Sequence, residues 1–111
     1  MENRKNIYFI TLQNNLEYAF EDFSLMNKFT STLKNRAYYF RKISALKTND
    51  DNKNLYVVST DEGEFAFDDT KMMKKFISPF DSSNYYCRKV TVIRTEEELQ
   101  NLTNQTQNQP Q

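Results

Sequence analysis

Histidine and tryptophan are missing from all 111 residues, and glycine and cysteine occur once each. Without histidine the commonest general base near neutral pH is gone, and with it the triads built on imidazole and most transition-metal sites. One glycine, Gly63, excludes a glycine-rich phosphate loop, which needs several residues free to take positive φ. Cys87 stands alone, so no internal disulfide forms, as expected in a reducing compartment; it reads as a small apolar core residue rather than a nucleophile. No apolar run is long enough for a signal peptide or a spanning helix, which points to a cytoplasmic protein without a membrane partner. Fifteen basic residues balance fifteen acidic ones, removing the usual electrostatic drive toward nucleic acid or membrane surfaces. These absences argue against catalysis, a metal and a cofactor.

What the chain has is internal repetition. Residues 17–48 align on 64–95 at an offset of 47 without a gap, and 13 of the 32 positions are identical. Chance would give about two in segments of ordinary composition. One residue earlier in register, Lys5–Thr11 lies on Lys53–Ser59 at an offset of 48, which puts the slip in the intervening turn, where length changes are tolerated. Each copy, 5–48 and 53–95, is too short to bury a core alone. A single domain over 1–103 is therefore expected, made of two copies related by a pseudo-twofold and a short C-terminal helix. The polar 104–111 segment is expected to be disordered. Residues 1–48 hold eight Lys/Arg against four Asp/Glu, residues 49–95 seven against eight. The abundance of Asn, Lys, Tyr and Phe suggests an AT-rich genome of the phage or mobile-element kind.

Either copy can be read with the other as control. Ile7–Leu12 and Leu55–Thr60 are apolar at most positions, as in strands covered on both faces. In Glu17–Phe20 and Glu64–Phe67 large aromatics alternate with small or charged residues, which predicts a strand with one buried face. Asp61-Glu62-Gly63 predicts a three-residue hairpin turn with the one glycine at positive φ, and its counterpart Gln13-Asn14-Asn15 supplies asparagine where positive φ is needed. Asp22 and Asp69 stand at helix N-cap positions. Leu25, Met26, Phe29 and Leu33, and likewise Met72, Met73, Phe76 and Phe80, recur at helical spacing. Pro79 ends the second helix, while Thr32 at the matching place predicts an additional turn in the first. Phe20, Phe67, Phe29, Phe76, Val57, Val58, Met26 and Met73 are the expected core. Third strands follow at Tyr38–Lys47 and Tyr85–Arg94. The polar turn Thr48–Asn52 predicts a hairpin joining the first of these to the first strand of copy two. Thr95 to Glu98 has the spacing of a capping box.

The fold class is thus α+β, a tandem strand–strand–helix–strand unit giving a six-stranded sheet or barrel with two helices. Element order and repeat length over 5–95 resemble the double-psi β-barrel. The near absence of glycine departs from that family, whose sharp crossing loops commonly use it. An open sheet with both helices on one face is the competing layout.

The densest match between copies is Tyr38-Tyr39-Phe40-Arg41-Lys42 against Tyr85-Tyr86-Cys87-Arg88-Lys89. If Ile43, Ala45, Val90 and Val92 face the core, strand alternation brings Tyr39, Arg41, Tyr86 and Arg88 to the same face. Guanidinium groups are rarely buried unpaired, and Glu17 and Glu64 are candidate partners, giving a tyrosine-flanked structural Arg–Glu pair that closes each end of the sheet. The functional reading makes Tyr39, Arg41, Lys42, Tyr86, Arg88 and Lys89 two equivalent binding sites, suited to stacking bases and holding phosphates. The doubled acidic pairs Glu21-Asp22 and Asp68-Asp69 offer a cation site, but capping explains Asp22 and Asp69 more simply. Size, neutrality and interface-forming Tyr, Phe, Met and Arg favour a non-catalytic protein-binding regulator or inhibitor. Single-stranded nucleic-acid or nucleotide binding is the alternative.

Overall fold

The computed structural model of the chain describes residues 3–34 and 36–107. Its elements run β1 (Asn3–Leu12), β2 (Glu17–Phe20), α1 (Phe23–Ser31), β3 (Tyr38–Lys47), β4 (Asn54–Thr60), β5 (Gly63–Phe67), α2 (Thr70–Ile77), β6 (Tyr85–Ile93) and α3 (Glu96–Gln107), with a 3-10 turn at Ser82–Asn84. The sheet closes on itself in the order β1-β2-β6-β4-β5-β3. This is a mixed six-stranded barrel with three helices, and the open-sheet layout is excluded. The β2·β6 and β3·β5 neighbours are parallel and the other four antiparallel.

Closure overturns the expected hairpin between β3 and β4. β3 pairs instead with β1 over its whole length, from Asn3↔Lys47 to Leu12↔Tyr38, and its other edge meets β5. β4 has both edges taken by β5 and β6, so neither strand has an edge left for the other. The segment between them is held by the buried Asp68 carboxylate. It accepts from the Thr48 backbone N–H at 2.8 Å, the Asn49 N–H at 2.9 Å and the Thr48 hydroxyl at 3.0 Å. Burial alone would raise the Asp68 carboxyl, but these backbone donors outweigh it and hold it below the ordinary carboxylate value.

The hairpin turns differ by the one residue that the alignment requires. The expected three-residue turn at 61–63 is shorter by one: Thr60 pairs with Gly63 across a two-residue turn, so Gly63, at φ 140°, opens β5. In the first turn the Leu12 N–H donates to the Leu16 carbonyl at 2.9 Å, and Asn15 takes φ 69°. Asparagine accepts that left-handed conformation more readily than other side chains.

Inward-pointing side chains fill the lumen: Ile7 and Phe9 of β1, Ala19 of β2, Ile43 and Ala45 of β3, Leu55 and Val57 of β4, Ala66 of β5, Val90 and Val92 of β6. β2 and β5 are covered on both faces, correcting the expectation of one. Their aromatics Tyr18, Phe20, Phe65 and Phe67 turn outward under the helices, and the small Ala19 and Ala66 face the lumen. The reason is room. At the parallel neighbours Ala19↔Val92 and Ala45↔Ala66 a six-stranded barrel leaves little space for a ring.

Two outer layers cover the barrel. α1 and α3 seal Ile10, Phe20, Met26, Phe29 and Ile93 on one side; α2 lies over Val58, Phe67 and Met73 on the other. Both helices start as expected: the Asp22 carboxylate accepts from Ser24 N–H at 2.9 Å and that of Asp69 from Lys71 N–H at 3.1 Å. The additional turn expected at Thr32 does not form. Thr32 and Leu33 N–H groups bond back in 3-10 fashion to Phe29 and Thr30 carbonyls, and Lys34 at φ 51° turns the chain out of the helix. Of the expected core, Phe76 alone is only half-buried. α3 opens on the capping box, with Glu98 N–H donating to Thr95 Oγ1 and Thr95 N–H to Glu98 Oε1, each at 3.1 Å. It runs on through Gln107, past the boundary at 104 where disorder was expected; residues 108–111 lie outside the described residues.

Candidate functional site

Strand alternation carries the inward row of each long strand past the apolar lumen to a mouth of the barrel. At one mouth the row delivers Thr11 from β1, Glu17 from β2, Arg41 from β3, Ser59 from β4, Glu64 from β5 and Arg88 from β6. Register fixes this placement, since Phe9 pairs with Arg41, Thr11 with Glu17, Val57 with Arg88 and Ser59 with Glu64.

The four charged side chains form one network at this mouth, correcting the expectation of a separate pair at each end of the sheet. Arg41 donates from Nε to Glu64 Oε1 and from Nη2 to Glu17 Oε2, with a further Nη2 bond to Glu64 Oε2 at 3.1 Å. Arg88 donates from Nε to Glu17 Oε1 and from Nη2 to Glu17 Oε2 at 2.8 Å and Glu64 Oε2 at 3.1 Å. Each guanidinium thus bonds both carboxylates. The remaining Nη1 atoms go to hydroxyls, Arg41 to Thr11 at 2.6 Å and Arg88 to Ser59 at 3.0 Å. Ser59 in turn donates to Glu64 at 3.0 Å. Two cations against two anions leave no net charge.

Burial and pairing oppose each other on the acids. Desolvation alone would raise the Glu17 carboxyl, but hydrogen bonds and charge from Arg88 and Arg41 together hold it below its ordinary value. Glu64 follows the same pattern, its desolvation outweighed by Arg41, Arg88 and the Ser59 hydroxyl. Glu17 chiefly, by its hydrogen bond, raises Arg88 further. Glu17, Glu64 and Arg88 stay ionised at neutral pH.

Tyr39 and Tyr86 stand above this plug, 64% and 63% exposed, with the Arg41 and Arg88 guanidinium carbons 5.9 and 5.5 Å from their ring centroids. Between the rings lies a cavity of about 460 Å³ lined also by Thr11, Asn15 and Glu17. Of the six predicted site residues, the structure gathers Tyr39, Arg41, Tyr86 and Arg88. It leaves out Lys42 and Lys89, which alternate to the outer face of the barrel and are exposed there; Lys42 pairs with Tyr8, whose ring stacks on Phe40 at 6.2 Å. Thr11 and Ser59 were missed. Their signal was available: both are hydroxyls, they stand opposite each other in the sequence alignment at an offset of 48, and they share the inward parity of the arginines.

The opposite mouth is charged as well. The side chain of Lys47 is fully buried, donating to the Asn52 carbonyl at 2.7 Å and lying 3.5 Å from Glu21. Arg94 donates to Glu21 at 3.2 Å and to the Asn52 carbonyl at 2.9 Å. Glu21 and Asp68 are therefore committed to cations and backbone donors, and Asp22 and Asp69 to helix caps. Among the described residues no group of acidic or cysteine side chains is placed to hold a metal ion. Cys87 is half-buried, 3.6 Å from the Met73 sulfur, and burial pushes its thiol up, away from the nucleophilic thiolate. None of the described helices is long and apolar enough to cross a membrane. Compared with known proteins, the chain matches no family model, no curated protein and no solved structure.

Proposed function

We propose that this chain is a non-catalytic binding protein that acts by protein–protein contact, using the aromatic rim of the Arg–Glu mouth. The observation that carries the reading is the pair Tyr39 and Tyr86, about two-thirds exposed yet braced against a part-buried charge network. Rigid, half-wet aromatics beside arginine are the side chains that anchor protein interfaces. Tyr38, Phe40, Leu16 and Phe23, 43–50% exposed, extend the apolar surface around the first copy. A phosphate chain is the poorer fit, because both guanidinium groups are spent on Glu17 and Glu64, and the lysines that would supplement them face elsewhere.

Internal duplication accompanies this reading. It is supported by the repeated sequence and by register: Phe9↔Ala19 recurs as Val57↔Ala66, Ile7↔Ile43 as Leu55↔Val90, and Ala19↔Val92 as Ala45↔Ala66. The barrel order also reads unchanged when β1–β3 are exchanged with β4–β6. A cytoplasmic regulator or inhibitor of phage or mobile-element origin fits the small size, neutral charge, single thiol and AT-rich style of composition.

Affinity capture from native lysate, with and without nuclease, tests the proposal when run beside the Tyr39→Ala/Tyr86→Ala double variant. A protein partner that survives nuclease and is lost with the double variant is the expected result. Recovery of nucleic acid that nuclease abolishes would favour the alternative.

A further inference from the structure

The two outer layers are unequal, and the covered one shows what the other lacks. After Lys47-Thr48 the chain turns away into β4. After Arg94-Thr95, 47 positions on, it instead forms α3 and folds back over the barrel. Leu99 is 6% exposed in this seat, packed with Leu25, Phe29, Leu33 and Ile93. Glu96 pairs with Lys28 of α1, and Glu98 with Lys53 at 2.5 Å.

The aligned residues on the α2 side are consistently less covered. Leu25, Phe29, Leu33 and Ile93 are buried, whereas Met72, Phe76, Phe80 and Leu46, their counterparts 47 positions away, are all half-buried. The α2 surface is also more basic. Lys75 occupies the place of Lys28, while Lys71 and Lys74 replace Ser24 and Asn27. All three lysines are exposed, and none joins an ion pair among the described residues.

We infer that the face formed by α2, β5 and the end of β3 is a docking seat for an acidic amphipathic helix from a partner protein, held as α3 is held on the other side. Such a helix carries two apolar side chains three or four residues apart, which meet Met72, Phe76 and Leu46. Acids in its first turn meet Lys74 and Lys75, a placement that also suits the positive end of its own dipole. This is helix-in-groove recognition. It is separate from the aromatic mouth and stands or falls independently of it.

The methionines provide reporters, since Met72 and Met73 belong to α2 and Met26 to the buried face of α1. The probe is a synthetic peptide of residues 94–107, titrated into the full chain labelled at its methionine methyl groups. Expected are shifts of Met72 and Met73 with Met26 unmoved, saturating at or below about 1 mM, a range attainable by a short helix with two apolar anchors. Lys74→Glu/Lys75→Glu, exposed changes in the last turn of α2 that lower the melting temperature by a few degrees and leave the chain folded at the temperature of the titration, weakens binding by about tenfold or more, as does raising salt well beyond physiological strength. Replacing the peptide's two leucines with asparagine abolishes binding, and the Tyr39→Ala/Tyr86→Ala variant binds normally. The inference is overturned by no shift of Met72 and Met73 up to that concentration, by shifts confined to Met26, or by affinity indifferent to the charge reversal. Shifts that follow the concentration of the chain alone would also overturn it, making a second copy the occupant.

Discussion

Inside the barrel the two halves of the chain match closely, whereas outside it they diverge. Lumen residues pair in the same register on both sides, and the mouth is closed by Arg41 and Glu17 from one half with Arg88 and Glu64 from the other. On the exterior, α1 is roofed by α3 and its apolar face is buried, but α2 carries its face alone and half-covered. A closed lumen constrains every inward side chain at once, because volume and charge must balance across the halves. The outer layers share no such constraint. Each can gain or lose a helix without disturbing the other.

The largest effect that would sharpen this contrast is loss of one half. A chain ending at Asn52 does not fold as a monomer, since the lumen core draws on all six strands; it either stays unfolded or dimerises to rebuild the barrel. A cooperatively unfolding monomer, observed by calorimetry together with sedimentation, would break the shared-core account.

Next come the matched charges of the mouth. Arg41→Met and Arg88→Met each leave a part-buried carboxylate short of a partner and should cost about 3–5 kcal/mol. Because their surroundings are alike, denaturant titration should give the two within about 1 kcal/mol of each other, the spread expected of context. A large inequality would mean that the mouth is not equivalent from its two sides.

The exterior should behave differently. Phe29, 2% exposed, should cost about 3–5 kcal/mol when cut to alanine, the range for a buried ring. Phe76, half-buried against Phe65 and Phe67, should cost roughly half as much, since less area returns to water. Equal costs would erase the distinction between the layers.

A smaller effect concerns acid. Glu17 and Glu64 are held below 4.5, their ordinary value, in the folded chain. Their contribution to stability is therefore complete above about pH 4.5 and is lost as pH falls through their lowered folded values. The Arg41→Met/Arg88→Met double variant should show a flatter loss in that window.

Much of this was legible beforehand because it is local. Asp22, Asp69 and the Thr95–Glu98 box act within three residues of themselves, and Gly63 and Asn15 are read from one turn each. Alternation along β3 and β6 likewise put Tyr39, Arg41, Tyr86 and Arg88 on one face. What escaped was long-range. The β1·β3 pairing, which closes the ring, joins residues as far apart as Asn3 and Lys47, and a polar turn at 48–52 looks the same whether it joins neighbours or crosses between them. The outward turn of Tyr18 and Phe65 depends on lumen volume, which no single strand reveals. The repeated sequence suggested two Arg–Glu pairs, but Arg41, Glu17, Arg88 and Glu64 meet at one mouth in a single network.

Amide hydrogen exchange of α1 and α2, in the full chain and in a chain ending at Thr95, tests the central claim most directly. With α3 present, α1 should exchange more slowly than α2. With α3 removed, α1 protection should fall to the level of α2 while α2 and the strands keep theirs. If α1 kept its protection without α3, or if α2 were already the better protected, the two layers would not differ for the reason given.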